Sequence, residues 1–263
     1  MKSSLGSTRF TESSPTFAYA WPSQADVYIR HRPGVLGHPA VGRTFATYAH
    51  RMAFIRRNGS GKRPISERMG LDSVRFDTLG LSRQPDEEPN HRFWLGPGLG
   101  LSENWFPIPP DMPSLDEDEI RAMYDGFLGD RQDADGRSPR VLDVAVNREN
   151  VIPAVCTLFR LPDDNRYTFV GAITLLLAEC SWVIKLQGSE GGITGVREAL
   201  AFHRFSGENP ELSIDERLST FDPYDELWDF DDEPLTSVRR AKRRILDSLQ
   251  FDAAVLQAST FDS

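Results

Sequence analysis

Cysteine and histidine are scarce in this chain, and no long apolar run is present. Its 263 residues include two cysteines, Cys156 and Cys180, and five histidines. No Cys-x-x-Cys or His-x-x-x-His spacing occurs, and His31, His38 and His50 are too scattered to ligate together, so a zinc site or a dithiol redox motif is excluded. Both cysteines sit in strand-like apolar surroundings and are expected to be buried, reduced thiols in a reducing, cytoplasmic compartment. The longest apolar stretch, Phe169 to Cys180, is broken by Gly171, Thr174 and Glu179. It falls short of the ~18 residues that cross a bilayer, so no transmembrane segment is expected.

Catalytic patterns are thin as well. A Ser-His-Asp arrangement needs a histidine in the folded part, where only His91 and His203 lie, and no Gly-x-Ser-x-Gly elbow is present. No catalytic residue, metal ligand or cofactor is therefore assigned. The acidic run FDPYDELWDFDDEP, Phe221 to Pro234, lacks the glycine and spacing of a calcium loop and reads as a solvated acidic segment. Its aromatics, Phe221, Tyr224, Trp228 and Phe230, are expected to pin it to the sheet.

What the chain does have is an uneven charge. Residues 1–84 carry 13 Lys and Arg against 5 Asp and Glu, and the remainder 17 against 34, which together give the net −9. Residues 1–73 read as a basic, loosely ordered extension with one amphipathic helix at 41–57, where Phe45, Tyr48 and Met52 oppose Arg43, Arg51, Arg56 and Arg57. A targeting leader and an arm for nucleic acid or an anionic membrane are the other readings, nucleic acid being unlikely because no base-reading motif follows. GSGK, Gly59 to Lys62, is no P-loop, because Arg63 and Pro64 follow the lysine and no apolar strand precedes it.

Residues 74–250 read as one α+β domain, with 251–263 as a tail. HRFWLG and ENWFPIPP suggest strands around the turn GPGLG. Ser114, three residues before Glu117, suggests a capping box for a helix over Leu115 to Leu128, with Ile120, Met123, Tyr124 and Phe127 on one face. RVLDVAVNR, VIPAVCTLFRLP, RYTFVGAITLLLA and SWVIKLQG are β-rich and separated by two to five residues. Such short breaks demand hairpins, hence an antiparallel meander covered by two or three helices.

The stretch SWVIKLQGSEGGITGVREAL poses a question of its own. Gly188, Gly191, Gly192 and Gly195 miss the dinucleotide spacing, and the next segment is an acidic coil rather than a second strand. The simpler expectation is that Gly188 ends the strand, Gly191 and Gly192 take positive φ, and Thr194 caps a helix whose apolar face includes Val196 and Leu200. An anion at that helix start is the alternative, which makes Gly191, Gly192, Thr194 and Arg197 candidate ligand residues. In DEPLTSVRRAKRRILDSLQF, Asp232 is the expected cap and Leu235, Val238, Ile245, Leu246 and Leu249 form the apolar stripe. Arg239, Arg240, Lys242, Arg243 and Arg244 are expected to pair with carboxylates such as Asp229 and Asp231.

VRFDTLGL, WFPIPPDMP, YTFVGAITLLLAECSWVIKLQGSEGGITGVREAL, DPYDELWD and PLTSVRR together resemble a family of uncharacterised bacterial proteins over Val74 to Leu246. That resemblance implies no activity and no catalytic residue. The order of elements is also similar to the Mog1/PsbP-like fold, whose members generally act as binding or accessory proteins. These readings combine into the expectation of a non-catalytic interaction module with an unknown protein partner, for which Trp105, Phe106, Trp228, Arg239 and Arg240 are candidate contacts. A small-ligand or anion-binding enzyme using the sheet face and the Gly188–Gly195 loop is the rival expectation.

Overall fold

The structure is a computed structural model that describes residues 69–85, 88–129, 137–163, 166–191, 195–231 and 233–261. The helix expected at 41–57, the GSGK turn, Gly192, Thr194 and Asp232 lie outside these residues.

In chain order the elements are β1 (Val74–Arg75), β2 (Ser82–Arg83), β3 (His91–Gly96), β4 (Leu99–Phe106), α1 (Glu117–Leu128), β5 (Arg140–Asn147), β6 (Ala154–Asp163), β7 (Arg166–Leu176) and β8 (Ser181–Ser189). They continue with α2 (Val196–Glu208), α3 (Ile214–Thr220), α4 (Pro234–Ser248), β9 (Gln250–Phe251) and α5 (Ala253–Gln257). Seven strands form one sheet in the order β2-β3-β4-β8-β7-β6-β5, and every pairing is antiparallel. The expected meander, β5 to β8, is its larger half. The chain is an α+β protein.

Hairpin chemistry sets the registers. Pro97 and Gly98 alone join β3 to β4, with Gly98 at φ 70, so the second strand begins at Leu99 rather than at Glu103. A fixed proline φ followed by a left-handed glycine closes the turn in two residues. In β5 the register shifts between Val141 and Asp143. That bulge puts Val141 and Val144 both inside, which strict alternation does not allow.

Helices cover both faces. α4 packs across β7 and β8, burying Leu235, Val238, Ala241 and Ile245 against Phe169, Ile173, Trp182, Ile184 and Leu186. Two glycines admit it: a Cβ on Gly171 would meet Val238 Cγ1 at 2.9 Å, and one on Gly188 would meet the Pro234 carbonyl oxygen at 3.2 Å. Gly188 therefore lies inside a strand that runs on to Ser189, and close helix approach is its role, not strand termination. On the opposite face α1 packs over β5, with Ile120 and Leu128 buried and Tyr124 edge-on to Phe159 at 5.1 Å.

Several local expectations are corrected. α1 is capped by Asp116, whose carboxylate accepts from the Asp118 and Glu119 N–H groups, while Ser114 Oγ bonds Glu119. Asp116 stands one residue before the helix, where a side chain reaches the free N–H groups. α4 is capped by Glu233, which accepts from the Thr236 N–H. The acidic coil expected after α2 contains α3, held by a Ser213–Glu216 capping box. The segment after residue 250 is built into the fold: β9 pairs with β1, Val255 is fully buried, and Thr260 bridges Leu177.

Candidate functional site

α2 is inside out with respect to its sequence. Val196 and Leu200, expected to face the core, are 47% and 50% exposed, whereas Arg197 and Ala201 are buried. Electrostatics explain the rotation. Arg197 Nη1 lies 2.7 Å from Glu233 Oε2 and Nη2 lies 3.7 Å from Asp229, so the inward face of α2 meets two carboxylates at the entry to α4. Glu198 points the same way and accepts from the Tyr224 hydroxyl at 2.5 Å, and Arg160 donates to that hydroxyl. Burial, with Glu198 alongside, drives the Tyr224 phenol well above its ordinary value. Leaving one member of such a set unpaired costs several kcal/mol, more than the ~1.5–3 kcal/mol forgone by exposing a leucine or valine.

α3 carries the same feature further, because none of its residues is buried. Ile214 and Leu218, one turn apart, are 56% and 62% exposed, and Leu227 beyond it is 70% exposed. A helix of this length is unstable alone in water. It is held by its capping box and by Phe221 at its end, whose ring meets Phe202 and Phe205 of α2 at 5.3 Å each and Trp228 at 6.2 Å. Residues 206–233 hold 11 Asp and Glu and a single basic residue, Arg217. The result is two rows of exposed aliphatic side chains, one on each helix, in an acidic surround.

Each expected site residue can now be placed. Gly191 does not have a positive φ; Gly195, the residue before α2, does, at 88°. Arg197 is committed to Glu233 and Asp229. Trp228 is buried in the aromatic layer beside Phe205. Trp105 is half-buried against Trp182, and Phe106 is half-buried at the end of β4. Arg239 is buried, 2.5 Å from Asp229, and also donates to the Tyr224 carbonyl, whereas Arg240 is exposed and meets Asp231 at 2.8 Å. The rest of that basic row is paired too: Lys242 with Asp143, Arg243 with Glu226 and Arg244 with Asp77.

Beside this row lies a cleft of about 370 Å³ lined by Arg148, Cys156, Glu226, Arg239, Lys242 and Arg243. Ligand pockets start near ~300 Å³. Arg239, Lys242 and Arg243 already hold carboxylates and Arg148 donates to the Leu115 carbonyl, and burial pushes the Cys156 thiol up to about 11, so that sulfur is a poor nucleophile. Both cysteines are free and buried. Among the described residues there is no group of three or more metal-ligating side chains, and no helix is long and apolar enough to cross a membrane.

Fold and surface together define an α+β domain that hides its charges beneath two helices and turns aliphatic side chains outward. No protein-family model matches the chain, and no curated protein matches it in sequence, so the expected bacterial family has no sequence match behind it. Among solved structures it is similar to the Saccharomyces cerevisiae Ran-binding protein Mog1p, with 9% identity, covering 72% of this chain and 96% of that chain, at a TM-score of 0.41. It is likewise similar to a mutant of protein Mog1, with 10% identity over 72% of this chain and 97% of that one, at 0.41. Neither transfers a residue role to this chain.

Proposed function

We propose that the chain is a non-catalytic protein-interaction module of the cytoplasm whose docking surface is the outward side of α2 and α3. One observation carries this: Val196, Leu200, Ile214 and Leu218 are exposed at helical spacing on two helices while an arginine takes the buried position. Aliphatic side chains presented this way mark a surface meant to be covered. Charge names the occupant. The surround is strongly acidic, so the complementary partner is a basic amphipathic helix that lays leucine-like side chains on the two rows and sets Lys or Arg against the rim. Two free buried cysteines suit the reducing compartment.

A fluorescent peptide with leucine and lysine at helical spacing tests this reading. Binding to the full chain is expected to be saturable, to weaken with salt, and to disappear in a Leu200→Glu, Leu218→Glu variant that keeps its circular dichroism. A leucine–glutamate peptide is expected not to bind. Equal binding of the basic peptide by wild type and variant would overturn the proposal.

A further inference from the structure

Among the described residues, each of the other α-helices buries at least one side chain, and α3 buries none. The hydrogen bonds that hold its seven residues are all local. Ser213 and Glu216 close the capping box, and the Arg217 and Phe221 N–H groups bond the Ser213 and Arg217 carbonyls at 3.0 Å each. Arg217 Nη2 reaches the Pro210 carbonyl at 2.9 Å.

The chain on either side is anchored independently. α2 is closed at Asn209, whose N–H and side-chain amide both donate to the Phe205 carbonyl, at 3.0 and 2.9 Å. Beyond α3, Phe221 sits among Phe202, Phe205 and Trp228, and Asp222 Oδ1 accepts from the Tyr224 N–H. Unwinding residues 213–220 breaks neither anchor and exposes no buried side chain. A helix this short meets the full cost of nucleation with few bonds to offset it. Its composition adds to the weakness. Ile214 and Thr220 are β-branched, and Ser219 and Thr220 both turn back on the Glu216 carbonyl, at 3.0 and 2.8 Å, side-chain bonds that compete with the helix.

We propose that α3 melts and reforms on its own in the native protein, and that this local equilibrium gates the docking surface. The inference rests on the reading of α2 and α3 as that surface. Ile214 and Leu218 share one face, a turn apart, only while the helix is formed. Once it unwinds, their row is gone, and half of the aliphatic surface goes with it. The basic amphipathic partner therefore binds the helical state and draws the equilibrium toward it. Its apparent affinity is reduced by the fraction of chains in which α3 is formed. Elements with few buried contacts open at far lower free energy than the core.

Native-state hydrogen exchange on the full chain reads the equilibrium directly. The Arg217 and Phe221 amides are expected to be protected no more than about tenfold over an unstructured chain, independently of low urea, while Val238 and Ile245 in α4 exchange only through global unfolding. The leucine–lysine peptide is expected to raise protection in α3. Two variants shift the equilibrium without touching the aliphatic rows or the charge of the rim. Ser213→Ala removes the cap, about a fivefold loss in the helix–coil constant, and is expected to weaken peptide binding about threefold. Ser219→Ala, Thr220→Ala removes both competing bonds and raises helix propensity, and is expected to tighten binding about twofold. The melting temperature of the protein is expected to be unchanged in both. Protection in α3 equal to that in α4, or an affinity that ignores both variants, overturns the gate and leaves the docking surface standing. Local exchange in α3 with no peptide binding by the wild type overturns the docking surface and the gate with it, so the two failures are distinguishable.

Discussion

α4 and α2 are both amphipathic, yet they use their two faces in opposite senses. α4 puts Leu235, Val238 and Ile245 into the core and carries a basic row, covered at Arg239 and Lys242 and exposed at Arg240, Arg243 and Arg244, in which each cation finds a carboxylate. α2 puts Arg197 inside and leaves Val196 and Leu200 in water. The difference teaches which helix builds the fold and which one presents a surface. α4 is bound into the core along its length; α2, followed by the unburied α3, is anchored by charge and aromatic contacts and faces outward.

The comparison is broken most forcefully where the two helices share an ion pair. Glu233→Ala removes the cap of α4 and leaves the buried Arg197 guanidinium without its nearest carboxylate. Chemical denaturation is expected to show a loss of about 3–5 kcal/mol, because a buried charge stripped of its partner is strongly destabilising. An unchanged midpoint would mean that α2 is not held by this pair.

Truncating one leucine on each helix sharpens the contrast. Leu235→Ala empties a fully buried position and is expected to cost about 2–5 kcal/mol, whereas Leu200→Ala, on the exposed row, is expected to stay within about 0.5 kcal/mol. Equal losses would show that α2 buries its aliphatic row after all.

Two buried groups extend the comparison to pH. Glu103 is pushed up to about 8, because burial outweighs Arg92, whose guanidinium lies 2.5 Å from Asp72 but 3.6 Å from Glu103. With its folded value raised from 4.5, the native state holds one more proton than the unfolded chain between pH 4.5 and about 8, so this group lowers stability as pH rises through that window. Lys185 is depressed from 10.5 to about 8; there the unfolded chain holds the extra proton, and stability rises between about 8 and 10.5. Each limb has a slope of about 1.4 kcal/mol per pH unit. Glu103→Gln is expected to remove the falling limb and Lys185→Met the rising one. If melts across pH keep both limbs in both variants, these assignments are wrong.

The smallest effect concerns reactivity. Burial, with Glu179 nearby, pushes the Cys180 thiol up to about 11, in step with Cys156. Alkylation at pH 7.5 is therefore expected to be negligible in the native protein and rapid in denaturant, and prompt native labelling would contradict the packing around both thiols.

Much of the architecture was legible in the sequence. Short polar breaks between β-rich runs forced the hairpins of β5 to β8, and the stripe from Leu235 to Ile245 faces the core as its spacing requires. The carboxylate partners of Arg239 and Arg240 were also readable, since Asp229 and Asp231 lie ten and nine residues away. What was not readable is whatever depends on distant partners. Nothing local says that Arg197 will meet Glu233, 36 residues on, so the apolar periodicity of α2 pointed its helix the wrong way round. Gly188 resembled a strand end because the helix that presses on it arrives only at Pro234. Lys185 in SWVIKLQG lay at an alternating position typical of a solvated lysine; only the strands on either side make it a buried one.

The central claim, that α2 and α3 form the docking surface and α4 does not, is tested most directly by site-specific photo-crosslinking in cell extract. A crosslinking residue is placed at Leu200, at Leu218 or at Arg240, the exposed basic position on α4. The account predicts that one stoichiometric partner with a basic amphipathic segment is captured from 200 and 218, that Leu218→Glu abolishes capture from 200, and that 240 captures nothing. Capture from 240 with none from 200 or 218 would contradict it.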